Sequence, residues 1–194
     1  MPTEVQLQEI HRLAVLGGVA DLAQQVGPWL TGAWLTTSRF REVRELSLQT
    51  LVLGPHARTL SDLASAKRRL GEVQDALAHY TTALTLYQEV GDRAGLATTL
   101  NNIGLVYRGL GDGQQALRYF QQALPLRQEV GDRVGERATR YNMAMIYRSQ
   151  GQLAEAVAAL HRVVELAQQV QHPDLESDRA MLHQVEQEWR QKQS

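Results

Sequence analysis

The chain has 194 residues, no cysteine and a formal net charge of -1. The lack of cysteine excludes disulfides and thiolate zinc sites, and the near-neutral charge gives no basic field of the kind that marks nucleic-acid or membrane-surface binders. No stretch approaches the roughly 18 uninterrupted apolar residues of a membrane helix, and the polar N-terminus has no signal-peptide pattern, so we expect a cytoplasmic protein with no membrane contact.

The sequence of residues 1–55 predicts three helices with irregular features. Thr3 and Gln6 have the spacing of a capping box, which predicts a helix near 4–16. Residues 38–51 resemble the second helix of a degenerate repeat, and residues 19–36 would be its partner. Gly27-Pro28 should kink or split that partner helix, because proline removes a backbone donor. We therefore interpret residues 1–55 as a degenerate N-terminal repeat or cap.

From residue 56 onward the sequence repeats itself with a 40-residue period. The segment Leu86–Arg93 returns as Leu126–Arg133, and 13 of the 26 positions from Leu86 to Gly111 are identical to their counterparts one period later. Periods of this size indicate stacked supersecondary units. We divide the region into three units, at about 56–93, 94–133 and 134–172.

Each unit has the pattern of two helices. Apolar or small residues recur at helical spacing between residues 94 and 110, and Gly111-Asp112-Gly113 then turns the chain. A second apolar face follows and ends at Gly131-Asp132, where glycine suits the left-handed position after a helix. Pro125 should bend this second helix. The next unit predicts helices near 134–150 and 153–170.

Small residues recur at two slots of the repeat, and they have a packing role. One slot holds Ala64, Gly104 and Ala144, and the other holds Ala76, Ala116 and Ala156. Small side chains at these slots allow paired helices to approach closely, and neighbouring aromatic residues fill the remaining space. After the last unit, Pro173-Asp174 opens a polar helix to about Lys192, which we interpret as a C-terminal capping helix over residues 173–194.

The small-aromatic-small pattern resembles the tetratricopeptide repeat signature. It is carried in the middle unit by Gly104, Tyr107, Gly111, Ala116, Phe120 and Ala123. The 40-residue length resembles the long variant found in kinesin light chains, Leu-Gly-Asn repeat adaptors and bacterial arrays. The resemblance implies an all-α fold, a right-handed superhelix of antiparallel helix pairs, and a protein-protein interaction function.

The resemblance also implies where a ligand would lie. In this family the first helix of each repeat lines a concave groove, so the groove positions can be counted from Gly104. The candidate binding residues are Ser65, Arg68, Asn101, Asn102, Leu105, Arg108, Tyr141, Asn142, Met145 and Arg148. The family's chaperone-tail clamp uses Lys and Asn at these slots, and only Asn102 agrees with that clamp. A chaperone tail is therefore not the expected ligand.

Two sets of polar residues recur at these groove positions. Arg68, Arg108 and Arg148 occupy one slot of the repeat and form the arginine ladder, while Asn102 and Asn142 form a shorter pair. An asparagine amide can donate to and accept from a peptide backbone at once, and an arginine fork binds carboxylates. These patterns favour a protein or peptide partner that carries acidic groups. The competing interpretation is that the arginines are solvated and the asparagines only bond neighbouring helices.

Other functions stay open as alternatives. The front region, with Trp29 and Trp34, resembles repeat arrays attached to bacterial signalling ATPases, which favours a ligand-responsive regulatory module. Nucleic-acid binding through the arginine ladder is a further alternative. We find no catalytic, metal-binding or phosphate-binding motif and expect neither an enzyme nor a cofactor. A homo-oligomer is a further alternative.

Overall fold

The computed structural model describes residues 2–193 and contains ten helices within that range. They are α1 (Glu4–Leu16), α2 (Ala20–Thr36), α3 (Phe40–Leu51), α4 (Ala57–Arg69), α5 (Val73–Val90), α6 (Arg93–Gly109), α7 (Gly113–Glu129), α8 (Arg133–Ser149), α9 (Leu153–Gln169) and α10 (Leu175–Gln193). No residue between 2 and 193 lies in a strand. The all-α prediction is therefore confirmed, and α6, α8 and α9 begin and end within a residue of the helices predicted near 94–110, 134–150 and 153–170.

The chain divides into two compact units, and the division falls in the first turn of α6. Unit one extends to Gly95 and unit two begins at Leu96. In unit one, α1 packs on α2, α2 on both α3 and α4, and α4 on α5. In unit two, α7 packs on α8, α8 on α9, and α9 on α10. Short turns between successive packed helices make these neighbours antiparallel pairs.

Glycines in the left-handed region end several of these helices. Gly71, Gly111 and Gly151 have φ of 86°, 81° and 74°, and each follows the first helix of a predicted repeat. Only glycine adopts this conformation without steric cost, which explains its recurrence once in every repeat. Gly131 also has positive φ, as predicted for the end of α7. Helix α2 continues unbroken through Pro28, so Gly27-Pro28 does not split it.

A capping box and a buried histidine organise the start of unit one. The Thr3 side chain accepts from the Gln6 backbone, and the Gln6 side chain accepts from the Thr3 backbone, as predicted. His11 is fully buried, with Nε2 2.8 Å from Thr50 Oγ1. The Thr50 hydroxyl donates to the Leu46 carbonyl, so the imidazole N–H is the donor to Thr50. His11 Nδ1 is buried without a partner.

Close approach of paired helices is visible at Gly104. A Cβ atom added there would lie 2.6 Å from Cε1 of Phe120, whose ring is fully buried. Real Cβ atoms do not come so near to a ring, so only glycine permits this contact between α6 and α7. Ala116 and Phe120 belong to the same buried cluster as Met143 and Ile146 of α8. The small slot therefore sets the spacing at which the middle repeat packs.

Helix α10 is fastened to α8 by a buried ion pair. Arg137 Nε donates to Asp178 Oδ2 at 2.6 Å and its Nη2 donates to Asp178 Oδ1 at 2.9 Å. The Arg137 and Asp178 side chains are only 9% and 2% exposed. Asp174 accepts a further bond from Arg137 Nη2 at 3.2 Å. The capping helix is thus held by specific charges as well as by apolar packing of Val185 in the core.

We expect Gly104→Ala to lower the free energy of unfolding by about 1–3 kcal/mol, because the new methyl group overpacks the Phe120 ring. Gly109→Ala is the matched control on the same helix, since nothing lies within 4 Å of a Cβ atom there. It should leave stability unchanged or raise it by up to about 1 kcal/mol. Urea midpoints measure both effects. Equal midpoints for the two variants would show that the α6–α7 contact is loose.

We expect Asp178→Asn to destabilise unit two by about 3 kcal/mol or more, because it leaves the buried Arg137 charge without its main partner. Glu176→Gln is the matched control on the same helix. Glu176 pairs with Arg179 at the surface, and its loss should cost less than about 1 kcal/mol. Urea unfolding followed by circular dichroism compares the two variants. Similar midpoints would contradict a structural role for the buried pair.

Stability should also fall in mild acid through His11. Burial lowers the pKa of His11, so the folded state binds this proton less readily than the unfolded chain. The contribution of neutral His11 to the free energy of unfolding is therefore fully present above the unfolded pKa of about 6.5. It declines as pH falls below that value. Between pH 7.5 and pH 5.5 the free energy of unfolding of the wild type should fall further than that of His11→Gln, by at most about 1.3 kcal/mol.

The His11→Gln comparison isolates one histidine. Burial also lowers the pKa of His56 and of His79, and both residues are present in the wild type and in the variant. Their contribution to the pH dependence therefore cancels in the difference. Urea midpoints at the two pH values provide the measurement. An identical pH dependence in the two proteins would mean that His11 takes up its proton without opposing folding.

Candidate functional site

Six of the candidate residues of unit two lie on α6 and α8 and are not fully buried. We call this surface the first-helix face and define it by six residues. They are Asn102, Leu105, Arg108, Tyr141, Asn142 and Met145. Arg108 is exposed and the other five are half-buried. Half-burial fixes the position of a side chain while leaving part of it open to a partner.

The two neighbouring asparagines of α6 have different roles. Asn101 is buried, and its Oδ1 accepts a hydrogen bond from the Thr139 hydroxyl at 3.0 Å. Asn101 therefore fastens α6 to α8. Asn102 is half-buried, and its amide has no hydrogen-bond partner among residues 2–193. Its donors and acceptor are consequently available at the surface.

Arg108 and Asn142 are brought together by the packing of α6 beside α8. Arg108 Nη1 donates to Asn142 Oδ1 at 2.5 Å. The amide is neutral, so this bond orients the guanidinium without cancelling its charge. No carboxylate within the described part of the chain forms an ion pair with Arg108. The first-helix face therefore carries one positive charge that its own neighbours do not compensate.

Arg148 occupies the same repeat slot as Arg108 but is neutralised by the capping helix. Its Nε and Nη2 donate to the two carboxylate oxygens of Glu188 at 2.9 and 2.5 Å. This hydrogen bonding lowers the pKa of Glu188 and raises the pKa of Arg148. A two-point fork of this kind uses the geometry that would otherwise receive a ligand carboxylate. In this structure Arg148 is thus not an open anion site.

The equivalent residues of unit one have a third environment. Ser65 Oγ lies 2.9 Å from the hydroxyl of Tyr80, which is fully buried. Burial raises the pKa of Tyr80, and the hydrogen bond with Ser65 and the nearby Arg68 charge oppose that shift. Arg68 is half-buried, and its Nε is enclosed without a partner. Ser65 and Arg68 therefore surround the end of a core tyrosine in unit one.

Apolar side chains flank the open polar groups of the first-helix face. Leu105 is packed against the cluster of Ala116 and Phe120. Tyr141 and Met145 are packed against the cluster that α8, α9 and α10 share. All three are half-buried and held in place. The face thus combines fixed apolar contact area with the Asn102 amide and the Arg108 guanidinium.

A pocket of 280 Å³ between α8 and α10 was not foreseen from the sequence. Its lining includes Tyr141 and Asn142 from the candidate set, together with Arg137, Asp174, Ser177 and Asp178. The repeat pattern did not indicate these last four residues, because α10 lies outside the 40-residue period and the position equivalent to Arg137 in the middle unit is Ala97. The signal that could have found them is the Asp174–Asp178 spacing on one helical face.

Unit one has a surface feature of its own on α2. Trp29 is 70% exposed, although the neighbouring Trp34 is buried in the core. Near it, Thr31 donates to the buried Asp62 at 2.6 Å, and Arg58 bonds the same carboxylate. Burial raises the pKa of Asp62, while Arg58 and Thr31 oppose the shift. Asp62 thus joins α2 to α4, as Asn101 joins α6 to α8.

Two kinds of feature are absent from the described part of the chain. Within residues 2–193, no group of three or more His, Asp or Glu side chains is arranged to hold a metal ion. In that same range, no helix has both the length and the apolar character needed to cross a membrane. The groups present on the first-helix face are amide, guanidinium, phenol and thioether, which bind by hydrogen bonding and packing.

Comparison with solved structures gives similar folds at low sequence identity. BtubC (BKLC) from P. vanneervenii has a TM-score of 0.76 at 21% identity, over 92% of this chain and 78% of that one. A kinesin light chain with TPR-like repeats from Podosopora anserina has a TM-score of 0.68 at 18% identity, over 87% and 88%. A Rap protein complexed with Competence and Sporulation Factor has a TM-score of 0.72 at 17% identity. That match extends over 77% of this chain but over only 44% of the Rap protein.

Identities this low show the fold alone, so the sequence comparisons decide the family. A search of curated proteins finds no significant match. Two profiles described as tetratricopeptide repeat match the chain, over residues 55–129 and residues 137–170. Together they cover more than half of its length and coincide with the helix pairs α4–α5, α6–α7 and α8–α9. The chain belongs to the tetratricopeptide repeat family.

Proposed function

We propose that the chain is a non-enzymatic protein-interaction module that binds a peptide or helix of a partner on the first-helix face of unit two. The observation that carries this proposal is the Asn102 amide, which is half-buried and has no partner among residues 2–193. A polar group in that position is satisfied by water or by a ligand. Its neighbours Leu105 and Arg108 supply apolar area and charge beside it.

The chemistry of the face suits a peptide backbone. A side-chain amide can donate to a carbonyl and accept from an N–H of the same extended segment. Such bonds do not depend on the partner's side chains, so specificity would come from the apolar and charged neighbours. The Rap protein whose fold is similar was solved in complex with Competence and Sporulation Factor. That complex supports the idea that this fold can present a ligand-binding surface.

We propose an acidic group of the partner at Arg108 in particular. Arg108 is exposed and bonded only to the neutral Asn142, whereas Arg148 is paired with Glu188. A partner carboxylate at Arg108 gains an ion pair without displacing an existing one. At Arg148 it would have to compete with Glu188. Of the two ladder arginines in unit two, Arg108 is therefore the proposed contact for an acidic group of the partner.

A ligand-responsive regulatory module is the second candidate, and the Arg148–Glu188 pair favours it. The two side chains are 27% and 34% exposed, so a ligand carboxylate could reach and exchange with this contact. Exchange would loosen one attachment of α10, while the buried Arg137–Asp178 pair holds the other. Nucleic-acid binding has less support. The arginines of the ladder lie in three different environments, which does not suit a row of phosphate contacts.

The test is a pull-down with mass spectrometry, followed by titration calorimetry with the partner protein that it identifies. The binding variant is Asn102→Ala with Arg108→Gln. The matched control is Gln122→Ala with Arg118→Gln, which makes closely similar chemical changes at exposed positions of α7. We expect the binding variant to lose about 1–2 kcal/mol, a factor of roughly 5–30 in affinity, because one amide contact and one exposed ion pair are removed.

Both double variants should retain the wild-type urea midpoint, because Asn102 makes no internal bond and Arg108 is exposed. The control should bind the partner with wild-type affinity. If the binding variant keeps full affinity, the first-helix face of unit two is not the binding surface. If both variants weaken equally, the partner binds through general charge, which is the outcome expected of nucleic acid and would be accompanied by a steep salt dependence.

A further inference from the structure

The pocket between α8 and α10 has charged residues that the proposed function does not use. It adjoins the first-helix face, because Tyr141 and Asn142 belong to both. Its volume of 280 Å³ lies just below the range of roughly 300–1,000 Å³ that holds small-molecule ligands. A pocket of this size suits one long side chain of a partner.

The charges of the pocket give it one unit of negative charge. Arg137 is its only cation among the described lining residues, and both Asp174 and Asp178 lie beside it. Asp178 is 2% exposed and holds Arg137 with both oxygens, so these two charges cancel. Asp174 makes one longer bond to Arg137, at 3.2 Å, and its side chain is 59% exposed. The Asp174 carboxylate is therefore the uncompensated group.

The neighbouring histidine does not remove that charge. His172 Nδ1 accepts a hydrogen bond from the Asp174 backbone N–H at 3.1 Å. Nδ1 lies 3.8 Å from the Asp174 carboxylate, beyond hydrogen-bond distance. Arg179 is engaged by Glu176 at 2.7 Å. An acidic occupant is disfavoured, because the one guanidinium of the pocket is 9% exposed and already bonded to two carboxylates.

We infer that this pocket receives a basic side chain, arginine or lysine, of the partner that binds the first-helix face. The cation would bond Asp174, and its aliphatic stem would lie along the half-buried Tyr141 ring. A cation beside an aromatic ring and a carboxylate gains from both contacts. This inference rests on the proposed function and adds to it, since the acidic group proposed at Arg108 does not by itself call for a basic neighbour.

The two sites are close enough to be filled by one short segment. Arg108 bonds Asn142 directly, and Asn142 lines the pocket. A partner segment with an acidic and a basic residue separated by few positions would satisfy both Arg108 and Asp174. The preferred ligand is therefore a mixed-charge peptide, and a uniformly acidic one leaves Asp174 facing like charge.

The experiment is a nuclear magnetic resonance titration of the full chain with Nα-acetyl-arginine amide. Nα-acetyl-citrulline amide is the neutral isostere and serves as the control probe. Backbone shifts that saturate on the order of millimolar probe are expected for a single side-chain contact of about 4 kcal/mol. They should be confined to residues 137–142 and 174–178. The citrulline probe should produce no saturating shift.

Asp174→Asn should weaken arginine-probe binding at least about fivefold, because the uncompensated charge is removed while the bond to Arg137 is kept. Glu176→Gln is the matched control, since Glu176 is a more exposed carboxylate close by in the chain, and it should bind as the wild type does. Equal binding of citrulline, unaltered binding by Asp174→Asn, or shifts spread over all exposed carboxylates would each overturn the inference.

The two proposals can fail separately. The inference predicts that Asp174→Asn weakens the partner from the pull-down by a similar factor. If Asp174→Asn leaves partner affinity unchanged while the Asn102 and Arg108 double variant loses it, the basic subsite is wrong and the binding surface stands. If the arginine probe saturates in the pocket but the double variant binds its partner normally, the binding surface is wrong and the cation site stands.

Discussion

The buried pair of Arg137 and Asp178 is the constraint on which the candidate site of unit two depends. It joins α8 to α10 by two short bonds at positions that solvent barely reaches. Because a buried ion pair is strongly directional, it fixes the register of α10 along α8 as well as the contact itself. That register places Glu188 against Arg148 and Asp174 at the edge of the pocket. The charge pattern of the surface therefore follows from one internal contact.

Much of the fold could be predicted from the sequence, because the helix ends and the close helix contacts depend on single residues that recur in each repeat. A glycine in the left-handed region follows the first helix of every repeat, and the small slot at Gly104 faces the Phe120 ring. The Thr3–Gln6 capping box and the start of α10 were predicted for similar local reasons. The continuity of α2 through Pro28 was not, because packing in a helical core can outweigh the backbone bond that proline removes.

The site was less predictable, since residues at equal repeat slots have unequal neighbours. Arg108 contacts a neutral amide, and Arg148 contacts a carboxylate of a helix that has no place in the repeat. Asn101 and Asn102 are adjacent in sequence, yet only Asn101 accepts a hydrogen bond from a hydroxyl on α8. Period and residue type therefore identify which face is polar. They do not decide which polar groups are already used by the protein itself.

Because some charged groups are paired inside the protein, the net charge of the chain does not indicate the charge of its partner. The whole chain is nearly neutral, and in unit two Arg108 and Arg148 alone would place two positive charges on or beside the first-helix face. The ion pair with Glu188 neutralises Arg148. Asp174 adds a negative charge that the repeat pattern does not predict. What remains is the open cation of Arg108, which bonds Asn142, and the open anion of Asp174, which lines the same pocket as Asn142. Under the proposed function, such a surface would select a partner by the order of its charges more than by their total, because a segment bound in the opposite direction would place like charges together at both sites. Repeat proteins with the same fold and similar composition can therefore differ in ligand through the terminal helix alone.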